Sequence, residues 1–96
     1  MKVYSILTKT FGYILGLVNE EELLSESKSI TVGFPCSITE LDDKRYEVSE
    51  LIPWCNTDVI DLKRDTLIFA SNELKSNFLN IYTSLYQDHY GHGTLH

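Results

Sequence analysis

Ninety-six residues leave room for one domain with one core and exclude a second. A composition of 43% hydrophobic residues, with six Tyr, four Phe and one Trp, excludes a disordered tail and describes a folded globular chain. Fourteen acidic against eight basic side chains give a net charge of −6 and a pI near 4.8. That balance argues against a broad nucleic-acid surface, so any such site must rest on a few named cations.

In chain order, Lys2–Thr8 and Phe11–Val18 both alternate with a period of two and predict a pair of strands. Only Lys9 and Thr10 separate them, so a tight hairpin is expected. Gly12 and Gly16 within the second strand predict strong bending or a close neighbour. Asn19–Ser29 is rich in glutamate and reads as a solvated loop with room for one helical turn. A third strand, SITVGFPCSITEL, places Ile30, Val32 and Phe34 on one face, with Pro35 at an edge, bend or bulge because proline cannot donate to a ladder.

Asp42, Asp43, Lys44 and Arg45 form a polar turn. In YEVSELIPW, Tyr46 and Val48 are in step while Leu51 and Ile52 are not, which predicts a bulge near Ser49 and Glu50. The stretch IPWCNTD reads as a bend, followed by a strand to Leu62, a polar turn at Lys63-Arg64-Asp65-Thr66 and a short strand, Leu67–Ala70. Ser71 or Asn72 then caps a helix over about 72–86, with Leu74, Phe78, Ile81, Tyr82 and Leu85 at helical spacing. The remaining residues, 87–96, carry two glycines and three histidines and are expected to form a flexible tail.

Five short strands with a curved second strand and a very short fifth predict a small bent antiparallel sheet or partly open barrel. SITVGFPCSI, ELIPWCNTDVIDLKRDTLIFAS and ELKSNFLNIYTSLY together resemble the Sm-like proteins, in particular a divergent branch of cyanophage and marine metagenomic origin, over residues 1–86. The resemblance implies a mostly β, strongly bent five-stranded antiparallel sheet with a C-terminal α-helix. It implies a cyclic homo-oligomer of about five to seven subunits, closed by pairing the fourth strand of one copy with the fifth strand of the next. It also implies binding of RNA or single-stranded DNA at basic residues near the pore. No Arg-Gly pair precedes the last strand, where Arg64-Asp65 stands instead, and the helix follows the sheet rather than preceding it.

The expected nucleic-acid contacts are Lys63 and Arg64, with Lys44 and Arg45 as a second pair beside Asp42 and Asp43. A ring would repeat each cation around one axis, so the field there can be positive although the subunit is acidic. Asn19 and Lys28 bound the glutamate-rich loop, which in the family also reaches towards the pore. The tyrosines are expected to pack in the core or between subunits rather than to stack on bases.

Cys36 and Cys55 lack CxxC spacing, and Cys55 has Asp58 where a thioredoxin-like loop needs Cys or Ser, so neither redox chemistry nor a zinc site is expected. His89, His92 and His96 lack a metal-binding spacing, and no catalytic signature stands elsewhere. The apolar run Phe11–Val18 is interrupted upstream by Lys9 and followed by acidic residues rather than a cleavage site, so a cytoplasmic location without membrane insertion is expected. The reading is a non-enzymatic, cofactor-free, ring-forming binder of RNA or single-stranded DNA; the rival is an oligomeric protein-interaction scaffold.

Overall fold

The computed structural model describes residues 1–42, 44–53 and 58–91. Asp43, Trp54, Cys55 and the histidines at 92 and 96, which the sequence analysis weighed, lie outside the described residues. Six strands form one sheet: β1 (Lys2–Thr8), β2 (Gly12–Val18), β3 (Ser29–Asp42), β4 (Arg45–Glu50), β5 (Val59–Lys63) and β6 (Leu67–Ser71). A short helix, α1 (Glu20–Leu24), follows β2, and a longer one, α2 (Ser76–Tyr90), follows β6. The strand order is β4-β3-β2-β1-β6, with β5 also on β3. The fold is the expected one: mostly β, antiparallel, not closed, with a C-terminal helix, matching the Sm-like description. The fourth strand of that description arrives in two pieces, because β4 and β5 pair with opposite halves of the 14-residue β3.

The β1–β2 hairpin turns over three residues rather than two. Gly12 lies at φ +69, Thr8 Oγ1 donates to the Gly12 carbonyl at 3.1 Å, and the Phe11 N–H donates back to Thr8 Oγ1 at 2.8 Å. A left-handed glycine closing a three-residue loop is the usual geometry there, so Gly12 serves the turn and not a bend. Gly16 does meet a close neighbour: a Cβ at that position would lie 2.1 Å from Val32 Cγ1.

Opposite Gly16, the β2–β3 register runs from Leu17↔Gly33 to Leu15↔Cys36, so Phe34 and Pro35 face one residue of β2. This is a β-bulge, and it reverses which side of the sheet successive residues face. Ile30 and Val32 therefore point to one side and Phe34 to the other, correcting the expectation that all three share a face. The first side holds Tyr4, Ile6, Ile14, Val18, Ile30, Val32 and Leu62. The second holds Leu15, Phe34, Cys36 and Tyr82, the last contributed by α2.

Two further expectations move. The ladder from Tyr46 to Glu50 is regular, so there is no bulge at Ser49 and Glu50; β4 ends there, and the Leu51 N–H donates to the Pro35 carbonyl at 3.0 Å. Leu51 is out of step because it leaves for the first core. The helix is displaced: Ser71 Oγ accepts from the Glu73 N–H at 3.1 Å, a local turn that competes with helix formation, and α2 begins at Ser76. It then continues through Tyr90, so 87–90 are helical rather than part of a tail. Tyr82, Leu85, Tyr86 and Tyr90 face the second core, whereas Ile81 is exposed. Among the described residues no helix is long and apolar enough to cross a membrane.

Candidate nucleic-acid interface

The turn between β5 and β6 is a single 3-10 turn, Arg64–Thr66, closed by Thr66 Oγ1 donating to the Lys63 carbonyl at 2.7 Å. The Arg64 N–H donates to the Lys28 carbonyl at 2.8 Å, which fastens this turn to the loop after β2. The guanidinium completes the attachment. Its Nε donates to Ser27 O at 2.6 Å, Nη1 to Leu23 O at 2.9 Å and Nη2 to Glu22 O at 2.9 Å.

Why this loop needs an arginine follows from α1. Asn19 Oδ1 caps its start, accepting from the Glu21 N–H at 2.9 Å, and three glutamates occupy its first turn. Its last turn has no basic residue, and although Ser25 already donates to the carbonyls of Glu21 and Glu22, the negative end of the helix favours a cation from elsewhere. Arg64 supplies it. The residue expected to touch phosphate is instead engaged with backbone carbonyls.

Two of the loop's glutamates also turn away. Glu20 accepts from Tyr4 Oη at 3.0 Å and from Lys2 Nζ at 3.3 Å, and these two partners hold its carboxyl below the ordinary value. Glu22 accepts from the Thr31 N–H. What remains is an open cleft of about 770 Å³ between the two turns, lined by Lys28, Lys63, Ser27, Ser29, Glu26 and Asp65 beside Arg64. Ser29 and Lys63 are direct ladder partners, so Lys28 and Lys63 stand together at the start of β3. Both lysines are exposed, and among the described residues neither ammonium has an ion pair.

Lys44 and Arg45 lie elsewhere, at the opposite end of β3. Arg45 forms a bidentate pair with Asp42, Nε to Oδ1 at 2.7 Å and Nη2 to Oδ2 at 2.5 Å, which raises the arginine's pKa and lowers the carboxyl's. Lys44 occupies the turn itself at φ +68. The structure thus joins Lys63 and Arg64 to Lys28 and separates both from Lys44 and Arg45.

The remaining candidates divide by burial. Cys36 is buried, and that burial, with Glu50 nearby, pushes its thiol up to about 12, far from a reactive thiolate. His89 sits on α2 between two carboxylates, Nδ1 at 3.1 Å from Glu50 Oε1 and Nε2 at 3.2 Å from Asp58 Oδ1, with its ring 5.1 Å from that of Phe34. It pins the end of α2 to the end of β4 and to the residue before β5, a role no local signal announces. Among the described residues no cluster of His, Cys, Asp and Glu has the makings of a metal site.

Tyr4 and Tyr82 are buried, and Tyr86 and Tyr90 pack against the second core. Tyr13 and Tyr46 lie outside the core of the subunit, 51% and 48% exposed, and their packing against another subunit is untested by a single chain. Compared with known families and with curated proteins, the chain matches no family model and finds no relative.

Proposed function

We propose that the chain is a ring-forming Sm-like protein of phage type that binds RNA or single-stranded DNA in the cytoplasm without catalysing a reaction. The observation that carries this reading is the cleft in which Lys28 and Lys63, from separate turns, face one space with no ion pair among the described residues. Each lysine is a mobile point charge suited to a phosphate. Repetition around a ring axis concentrates these charges in a protein that is acidic overall.

The open sheet supports assembly. The outer edges are β6 on one side and β4 and β5 on the other. Ile68 and Phe69 of β6 are 57% and 59% exposed, and Val59 of β5 is also exposed. An unpaired edge carrying apolar side chains is an aggregation hazard unless another strand covers it, and the edge of a neighbouring copy is the expected cover. Light scattering should give a mass of several subunits, reduced by Phe69→Lys; a monomeric mass at micromolar concentration would contradict the ring.

Nucleic-acid binding is tested by filter binding of oligonucleotides over a range of salt. Affinity should fall steeply with salt and should be lost in a Lys28→Ala, Lys63→Ala double variant. Absence of binding at low salt would remove the proposal. The second reading, an oligomeric scaffold without nucleic acid, is favoured by the commitment of both Arg64 and Arg45 to partners within the chain.

A further inference from the structure

A second opening lies on the helix side of the sheet. It is a groove of about 410 Å³ whose floor is Ser5, Leu15 and Ile38, whose walls include Tyr13, Tyr46 and Phe78, and whose rim carries Lys75 and Glu40. Phe78 meets Tyr46 edge-on, with ring centroids 5.5 Å apart and planes at 70°. That contact braces the Tyr46 ring, while about half of its surface stays open to solvent.

We propose that this groove holds an unstacked base of the single strand whose phosphates the Lys28 and Lys63 cleft binds. The proposal rests on that functional reading and extends it to a site at the other end of the sheet. Several observations select a nucleotide as the occupant. Tyr13 and Tyr46 come from different strands, β2 and β4, yet line one groove with half-exposed rings. Two such rings with an apolar floor accept a flat aromatic ligand, and stacking on aromatic faces is how single-stranded bases are held.

The rim has one charge of each sign. Lys75 stands where α2 begins, and the first turn of α2 has no acidic residue to offset it, so it is placed for a phosphate. Glu40, the ladder partner of Tyr46, offers a carboxylate to the exocyclic N–H of a base. A purely apolar peptide would leave both charges without a partner. A strongly basic one would meet Lys75.

The displaced helix creates this site. Had α2 begun at Asn72 as its sequence spacing predicts, Leu74 and Lys75 would lie within helical turns; instead they run ahead of it along the groove.

The test is fluorescence anisotropy of labelled oligo(A) and oligo(U) on the full chain over a range of salt. Phosphate contacts set the salt slope and stacking does not, so the tyrosine variants, which leave Lys28, Lys63 and Lys75 in place, are told apart from a lysine variant in one titration. Tyr13→Ala and Tyr46→Ala should each weaken binding about five-fold or more with the slope unchanged, while Tyr13→Phe and Tyr46→Phe, which keep the rings, should bind like the parent. Lys63→Ala should lower the slope. If the alanine variants bind like the parent while Lys63→Ala does not, the groove holds no base and the functional reading stands. If the phenylalanine variants lose as much as the alanine variants, stacking is refuted. If the groove variants instead lose affinity for a lysine-rich peptide that the parent binds more tightly than any oligonucleotide, the occupant is a protein and the proposal falls. If the parent binds no oligonucleotide, both readings fall together.

Discussion

Removal of one hydroxyl, Tyr82→Phe, tests how the helix is held to the sheet. Tyr82 is 2% exposed, and its Oη donates to Phe34 O at 2.9 Å, with Gly33 O at 3.2 Å sharing the proton. These carbonyls belong to the bulge that Pro35 forces into β3, where the ladder to β2 is interrupted. Besides that hydroxyl, the Phe34 carbonyl meets Cys36 Sγ in a weak contact at 3.8 Å. An unsatisfied buried acceptor costs about 1–3 kcal/mol, and the ring itself is retained, so cavity formation adds little. For a domain of this size each kcal/mol lowers Tm by roughly 4–8 °C. The assay is thermal unfolding followed by circular dichroism at fixed protein concentration, because the assembly proposed above would make Tm concentration-dependent. Tyr86→Phe, with no hydrogen bond from its hydroxyl recorded among the described residues, serves as the control. A fall for Tyr82→Phe no larger than the control's would refute the claim that the hydroxyl satisfies the bulge.

Three further outcomes are expected. Gly16→Ala should destabilise by about 1–3 kcal/mol, because the new Cβ would meet Cγ1 of a fully buried, stiff Val32; a urea midpoint equal to the parent's would show that β3 can yield. Arg64→Ala should raise hydrogen exchange in Glu20–Leu24, and Arg64→Lys should not restore protection, since an ammonium cannot span three carbonyls held by a planar fork; full protection in the lysine variant would contradict this. Stability should decline in alkali. Burial raises the Cys36 thiol from 9.0 and the Tyr90 phenol from 10.0, each to about 12, so the folded state binds more protons. The stabilisation is complete below the unfolded values and is lost as pH rises from about 9 towards 12, and a urea midpoint unchanged across that window would exclude it.

How far these features could be read from residues alone depended on whether their partners were local. Both strands of the first hairpin were legible because Tyr4, Ile6, Ile14 and Val18 alternate towards one core. Pro35 announced a discontinuity in β3 but not its consequence, because the parity of Phe34 depends on how many residues of β2 it faces, a property of the pair. The helix boundary failed for a related reason: Ser71 is a good cap, but its hydroxyl bonds to Glu73 in a turn that delivers Leu74 to the second core first. At the candidate site, Lys63 was legible as a cation where a strand meets a polar turn, and the structure makes it the last residue of β5. Arg64 could not be assigned, because its acceptors are carbonyls, and a carbonyl carries no residue identity.

That asymmetry between the two cations has a physical basis. A planar fork with fixed donors suits fixed acceptors, and Arg64 is matched to three carbonyls of α1 and its following loop; Arg45 is matched to both oxygens of Asp42. A lysine ammonium, compact and on a flexible stem, gains less from fixed geometry and more from a ligand whose phosphates shift. In this chain the arginines stabilise the turns, and Lys28 and Lys63 are left facing the cleft. An acidic subunit with two such lysines offers few phosphate contacts by itself. In the proposed ring, copies acting together would supply the affinity, so the open edges at β5 and β6 and the cleft belong to one functional argument: a variant that cannot assemble should lose binding even with both lysines intact.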